Sequence, residues 1–241
     1  MAVLEASALT VRFGEHLAVH EVDLSVDAGE IVGLIGPNGA GKTTTFNAIC
    51  GVQACRGKVL LDGVDISSAP AHRRARLGMN RTFQRLEVFG SMTAYNNIRT
   101  AAEIAARGRR QSMRGATKVA DAIIDQLGLG AIAHRRADAL PTGQARLVEL
   151  GRVLATEPKV VLLDEPASGL DETETARLAE VLRSLVERQL GVLLVEHDMA
   201  LVMDLCSKIC VLNFGELIGC GTPAEVRANP AVQEAYLGAV A

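Results

Sequence analysis

Val22, Leu24 and Val26 alternate with polar residues, the two-residue period of a strand with one face buried. Ile31–Ile35 is a short β-branched run that stops at Gly36, and helical patterning follows from Lys42 to Cys50. Val59–Leu61 runs into Asp62-Gly63, a dipeptide that closes a strand in a tight turn. The first third is therefore strand-rich. The middle is helical from Thr93 to Ala106 and from Thr117 to Leu127, with Val119, Ile123 and Leu127 on one face. Arg107, Arg109, Arg110 and Arg114 fall between these segments among Gly and Ser. They read as a flexible, solvated basic loop, with a partner or an anionic membrane surface as the alternative. Over the last hundred residues strand and helix alternate. Val160–Leu163 and Val192–Val195 have the length of buried strands, and Leu178, Val181, Leu182 and Leu185 stripe the helix between them. Thr222-Pro223-Ala224-Glu225 has the form of a capping box with Pro at the first helical position. Alternation of this kind predicts an α/β fold, a parallel sheet covered by helices.

The chain has 241 residues, and 25 basic against 28 acidic side chains leave a formal net charge of −3. So even a balance argues against a nucleic-acid partner, whose phosphate backbone is normally met by a basic face. Hydrophobic residues make up 49%, yet no run approaches the ~18 apolar residues of a membrane span. The chain is not expected to cross a bilayer by itself. At ~150 residues per domain the length allows one large domain or two small ones. No repeat or linker divides it. Cys50, Cys55, Cys206, Cys210 and Cys220 are too irregular for a disulfide framework and lack zinc-site spacing. They read as reduced thiols of a cytosolic protein. Met1–Thr10 carries Glu5 and no basic start, so it does not read as a signal peptide.

Gly36-Pro37-Asn38-Gly39-Ala40-Gly41-Lys42-Thr43 fits the P-loop pattern between a strand run and a helix. Glycines let successive backbone N–H groups turn inward on phosphate oxygens, and the helix start adds its positive dipole end. Lys42 is placed to bridge the β- and γ-phosphates. The Thr43 hydroxyl is placed for Mg²⁺, and Thr44 for the α-phosphate.

A P-loop needs an acid to hold the magnesium. Val160–Leu163 ends in Asp164 and Glu165, and in a parallel sheet that strand end opens on the same crevice as the P-loop. Asp164 is the candidate for Mg²⁺, through a water, and Glu165 for polarising the attacking water. A second strand, Val192–Val195, runs into Glu196-His197-Asp198. His197 alone reads as structural; behind a P-loop and an Asp-Glu strand it reads as a γ-phosphate sensor.

Together these motifs resemble the ATP-binding subunit of ABC transporters over essentially the whole chain. The resemblance implies a P-loop NTPase (RecA-like) core with a parallel sheet, an antiparallel β subdomain and an α-helical subdomain inserted at roughly 88–155, all in a single domain spanning 1–241. Gln84 in Arg81-Thr82-Phe83-Gln84 looks like the family's Q-loop glutamine, which touches the Mg²⁺ and water site and senses the permease. Leu140-Pro141-Thr142-Gly143-Gln144 occupies the signature position, and Ser168-Gly169-Leu170-Asp171 resembles the D-loop. Phe13 sits where the family has an aromatic stacked on adenine; it reads equally as core. The signature departs from the usual form, with Pro141 in place of a serine that would touch the facing subunit's γ-phosphate. Thr142, Gly143 or Gln144 remain as donors, and the departure leaves room for pairing with a different ATPase subunit.

The resemblance implies an ATPase that takes ATP and Mg²⁺ and works as a homo- or heterodimer. Two such subunits sandwich two ATP molecules and drive transmembrane permease subunits docked near Gln84 and Leu86–Asn97. A solute-binding protein is an indirect partner, and the location implied is peripheral, on the cytoplasmic face of the inner membrane. Arg81–Gln84, Glu196–Asp198 and the tail from Ala224 through Asn229 and Pro230 to Ala235-Tyr236-Leu237-Gly238 look like subunits of branched-chain amino-acid or urea/amide importers. The lipopolysaccharide-export ATPase is the alternative. Two rival classes fit less well. A non-transport ABC ATPase carries two ATPase domains or a coiled-coil insertion, and a small-molecule P-loop kinase has no use for a signature or a switch histidine.

Overall fold

The computed structural model describes residues 2–109 and 112–237. Strands β1 (Ala2–Phe13), β2 (His16–Asp27) and β3 (Ile31–Ile35) lead into helix α1 (Lys42–Ile49). Then come β4 (Arg56–Leu61), β5 (Val64–Asp65), α2 (Ala71–Leu77) and β6 (Met79–Arg81). Helices α3 (Ala94–Gly108), α4 (Met113–Gln126) and α5 (Thr142–Leu154) follow. The chain closes with β7 (Val160–Asp164), α6 (Glu172–Glu187), β8 (Gly191–Val195), α7 (Met199–Leu205), β9 (Lys208–Asn213), β10 (Glu216–Gly221), α8 (Pro223–Ala228) and α9 (Pro230–Leu237).

Two sheets form. An antiparallel sheet has the order β2-β1-β4-β5, and the larger sheet the order β10-β9-β3-β8-β7-β6. In the larger one β9, β3, β8, β7 and β6 are parallel, while β10 pairs antiparallel at the edge. This is the architecture expected: a P-loop-type parallel core joined by an antiparallel sheet and helices. Strands β3, β7 and β8 are buried at every position, which suits a parallel sheet covered on both faces. Alternate residues serve two cores. Ile31, Ile35, Val161, Leu163, Val192 and Leu194 face the cluster shared with α3–α7, whereas Val32, Leu34, Val160, Leu162, Leu193 and Val195 face the antiparallel sheet and α1. Phe46 of α1 is fully buried between the two sheets.

Local chemistry sets the boundaries. Asp62 and Gly63 both take positive φ, +49° and +73°, the turn predicted for that dipeptide. Thr222 and Glu225 form the expected capping box at the start of α8, with Pro at the first turn. The basic segment differs from expectation. Helix α3 runs through Arg107 to Gly108, and α4 already begins at Met113, so Arg114 is helical. Ala and Arg are good helix formers, and Thr93 caps the start of α3 by accepting from the Asn96 amide. Arg107 and Arg109 are exposed as expected, but Arg109 is also tied down: it donates to the Glu157 carboxylate and to the Thr156 and Glu157 carbonyls. Arg110 lies outside the described residues, as does Gly238 of the tail.

The cysteines also differ. Cys210 and Cys220 face each other as Cα partners across β9 and β10 and are joined as a disulfide. Their register is invisible in the spacing. Cys50, Cys55 and Cys206 are free thiols, and burial pushes Cys50 up to about 11 and Cys206 up to about 12.

The helices pack closely against the core. A Cβ on Gly151 of α5 would lie 2.7 Å from Ile98 Cδ1 of α3 and 2.9 Å from Leu127 Cδ1. Side chains this confined cannot relax around a void. Ile98→Ala is therefore expected to cost ~2–5 kcal/mol of unfolding free energy, read by urea denaturation with an unchanged slope. A loss under about 1 kcal/mol would show that this contact is loose.

Candidate nucleotide site

The loop 36–43 lies between the carboxyl end of β3 and the start of α1. Gly36 and Gly41 are sterically required. At Gly36 (φ +151°) a Cβ would come within 2.1 Å of the Leu212 carbonyl, and at Gly41 (φ +104°) within 2.7 Å of the Ala18 carbonyl. Gly41 is also the N-cap of α1 and supplies no side-chain cap. The first N–H groups of that helix are thus left for an anion. Lys42 folds back, its Nζ donating to the Gly36 carbonyl at 2.6 Å and the Pro37 carbonyl at 3.0 Å. Burial lowers the Lys42 pKa, against the pull of Glu165 and Asp164. From the other side, the tail reaches the loop. Burial raises the pKa of Tyr236 on α9, and the Gly36 backbone beside its hydroxyl opposes that rise.

A cleft of ≈ 350 Å³ collects Phe13, His16, Ala18, Asn38, Gly39, Ala40, Gly41, Lys42, Thr43, Thr44, Gln84, Glu165 and His197. Phe13 is 49% exposed at the end of β1, which removes the reading of it as core. At the ends of β7 and β8, His197 Nε2 lies 2.7 Å from Glu165 Oε1, and Gln84 Nε2 donates to both Glu165 oxygens at 3.3 Å. The reading of His197 as a purely structural residue gives way to one in which it lines the cleft.

Asp164 is 1% exposed. Its amide donates to Thr82 Oγ1 at 3.1 Å, and its Oδ2 accepts from Arg81 Nη2 at 3.0 Å. Burial raises its pKa, although Arg81 opposes that. Its Oδ1 is buried without a hydrogen-bond partner among the described residues. Such an atom needs a ligand, and Asp164, Thr43 and Gln84 offer oxygen donors of the kind Mg²⁺ takes. Among the described residues no group of three or more His, Cys, Asp or Glu side chains could hold a metal by itself, so water or phosphate oxygens would have to complete the shell of an ion held here.

The remaining predicted residues are not in this cleft. Thr142, Gly143 and Gln144 open α5, and Asp171 caps α6, accepting from the Glu174 amide at 2.8 Å. These two segments meet: a Cβ on Gly143 would lie 2.1 Å from Glu174 Oε2, and one on Gly169 3.2 Å from Thr142 Cγ2. Pro141, as N-cap of α5, makes no side-chain cap.

Several residues that shape the site escaped the sequence reading. From α5, Arg146 donates to the Phe83 carbonyl at 2.9 Å and the Gln84 carbonyl at 2.5 Å, and Arg152 donates to the Glu87 carbonyl. Glu149 accepts from the Glu87 amide at 3.2 Å, and burial raises its pKa. Residues three apart on one helix face thus grip the backbone around Gln84. Glu196 is buried and accepts from the Ala167 amide at 2.7 Å and the His197 amide at 3.1 Å. It ties the two acidic strand ends together, and burial raises its pKa.

The ABC transporter family model matches residues 19–168. The chain belongs to the ABC transporter ATP-binding family. A second model, the branched-chain amino acid ATP-binding cassette transporter, matches residues 216–241. The chain is 41% identical to the high-affinity branched-chain amino acid transport ATP-binding protein BraF of Pseudomonas aeruginosa, with 98% of each chain covered. It is 38% identical to LivG of Escherichia coli, of the same description, again over 98% of each. It is 37% identical to the lipopolysaccharide export system ATP-binding protein LptB of Haemophilus influenzae, over 99% of this chain and 98% of that one. Among solved structures, a twinned ATP-binding cassette of an ABC transporter superposes with a TM-score of 0.86 at 28% identity, covering 98% of this chain and 99% of that one. An ADP conformation of such a cassette superposes at 0.83 with 26% identity, covering 99% of each. As a member of this family the chain binds and hydrolyses ATP and works with transporter permease subunits. No helix among the described residues is long and apolar enough to cross a membrane.

The loop geometry is open to test. Gly36→Ala forces ~1–3 kcal/mol of backbone strain into the loop, so ATP affinity by titration calorimetry should fall roughly 5- to 150-fold with the far-ultraviolet circular dichroism unchanged. Affinity within twofold of wild type would mean that the loop absorbs the methyl group.

Proposed function

We propose that the chain is the ATP-hydrolysing subunit of an importer for branched-chain amino acids or a similar small polar solute. The observation that carries this reading is the full-length similarity to BraF, joined by the branched-chain family match at residues 216–241. The similarity to LptB favours lipopolysaccharide export as the second reading.

In this reading the loop 36–43 and Thr44 hold the phosphates, with Lys42 neutralising the β- and γ-oxygens and Phe13 stacking on adenine. Thr43, Gln84 and Asp164 hold Mg²⁺, which supplies charge neutralisation on the transferred phosphoryl group. Glu165 orients and polarises the attacking water, and His197 and Gln84, which already contact its carboxylate, keep it in place. Thr142, Gly143, Gln144 and Asp171 lie outside the cleft and serve the nucleotide of a second ATPase subunit, so one chain alone turns over slowly. The helical span 88–155 acts as an inserted subdomain of a single domain 1–241. Permease helices dock along the segment Leu86–Asn97, where exposed Phe83, Phe89 and Ile104 border a groove of ≈ 240 Å³ beside Arg152. The assembly sits peripherally on the cytoplasmic face of the inner membrane, with a solute-binding protein delivering cargo to the permease.

Glu165→Gln should lower ATP turnover by ~10²–10⁴-fold while leaving ATP affinity intact and stabilising a dimer on gel filtration; unchanged turnover would remove Glu165 from its role. The transport reading is tested by purifying the chain from detergent-solubilised membranes and reconstituting what accompanies it. ATP-dependent leucine uptake is the expected result. Failure of uptake together with rescue of lipopolysaccharide export would transfer the chain to the second reading.

A further inference from the structure

We propose that Arg81 is the positioning residue of the metal acid: it fixes which oxygen of Asp164 is left free for a ligand and links that carboxylate to the segment carrying Gln84. The inference rests on the reading of Asp164 as the Mg²⁺ residue given above.

All three guanidinium nitrogens are engaged. Nη2 donates to Asp164 Oδ2 at 3.0 Å, Nη1 to Asn47 Oδ1 at 2.6 Å, and Nε to the Thr82 carbonyl at 3.0 Å. The plane is held as well, with Cζ 4.4 Å from the ring centroid of Phe83 and 5.8 Å from that of Phe46. A guanidinium fixed by its fork and by stacking has one orientation, which an ammonium in the same place would not have. The pair is deeply buried, with side chains 7% and 1% exposed. Neither charge can turn to water.

The consequence falls on the carboxylate. Arg81 takes Oδ2, the Thr82 hydroxyl takes the Asp164 amide, and Oδ1 is left buried and unpartnered. Arg81 therefore presents a single oxygen to a ligand. The same side chain touches α1 through Asn47 and Phe46, directly behind the P-loop, and Phe83, the neighbour of Gln84. A displacement of the Gln84 segment moves the stacking partner and the Thr82 carbonyl, and through the guanidinium it moves Asp164. Removing an outer partner of this kind from a metal-binding carboxylate typically weakens the metal about 10- to 100-fold.

The experiment compares ATP affinity, by fluorescence titration, with Mg²⁺ and in EDTA, for full-length wild type, Arg81→Lys, Arg81→Met, Asn47→Ala and Asp164→Asn. The readout is the gain in affinity that Mg²⁺ confers. Arg81→Lys and Arg81→Met should lower that gain about tenfold or more with the affinity in EDTA within twofold. Asn47→Ala leaves the ion pair intact, so it covers the case in which the Arg81 variants fail to fold; it should lower the gain by a smaller factor. Asp164→Asn should abolish it. A merely structural role would lower the melting temperature and leave the ratio untouched. If Asp164→Asn loses the gain while the Arg81 and Asn47 variants keep it, the proposal is overturned and the metal reading stands. If Asp164→Asn keeps it, the metal reading itself fails.

Discussion

Parallel pairing of β3, β8 and β7 is the constraint on which the rest of the structure depends. Because these three strands run the same way and stay in register, their carboxyl ends arrive side by side at one edge of the sheet. Gly36 follows β3, Asp164 closes β7 with Glu165 next to it, and Glu196 and His197 follow β8. No loop has to reach for the others. The ordering is stable because every residue in those strands is buried on one of two faces, so a slip of one residue would exchange the two cores.

Around that edge sits a set of buried charges. Asp164 pairs with Arg81 of β6, Glu149 pairs with Arg146 of its own helix and accepts from the Glu87 amide, and Glu196 accepts from the Ala167 and His197 amides. Burying such groups costs desolvation that hydrogen bonds mainly offset. Their contribution is therefore one of geometry. Two of them fix backbone segments: Glu149 holds the segment after Gln84 to α5, and Glu196 holds the segment after Glu165 to the end of β8.

The strands, the P-loop and the strand-end acids were legible because each depends on local pattern: β-branched runs, glycines at fixed spacing, carboxylates after an apolar stretch. Arg81 stands in a recognisable motif, yet nothing around it in the sequence announces that its guanidinium is buried between a carboxylate and two phenylalanines. Nothing in the spacing of Arg146, Glu149 and Arg152 tells which way they face, and only the fold turns them onto the Gln84 segment. Cys210 and Cys220 were missed for a related reason: the pairing of β9 with β10 decides that they face one another. Phe13 and His197 each stood between two readings until exposure and contacts put both in the cleft.

The contact between Tyr236 and the Gly36 backbone joins two parts of the chain that have separate relationships. Gly36 lies within the span shared with ABC transporters at large, and Tyr236 within the span shared with the branched-chain group. The specialised tail is thus in mechanical contact with the general-purpose loop. Ala231, Glu234 and Ala235 of the tail also line a cavity of ≈ 490 Å³ with Pro37, Asn38, Gly39 and Ala40 of that loop, so a change in the tail is a change in the wall behind the phosphate loop.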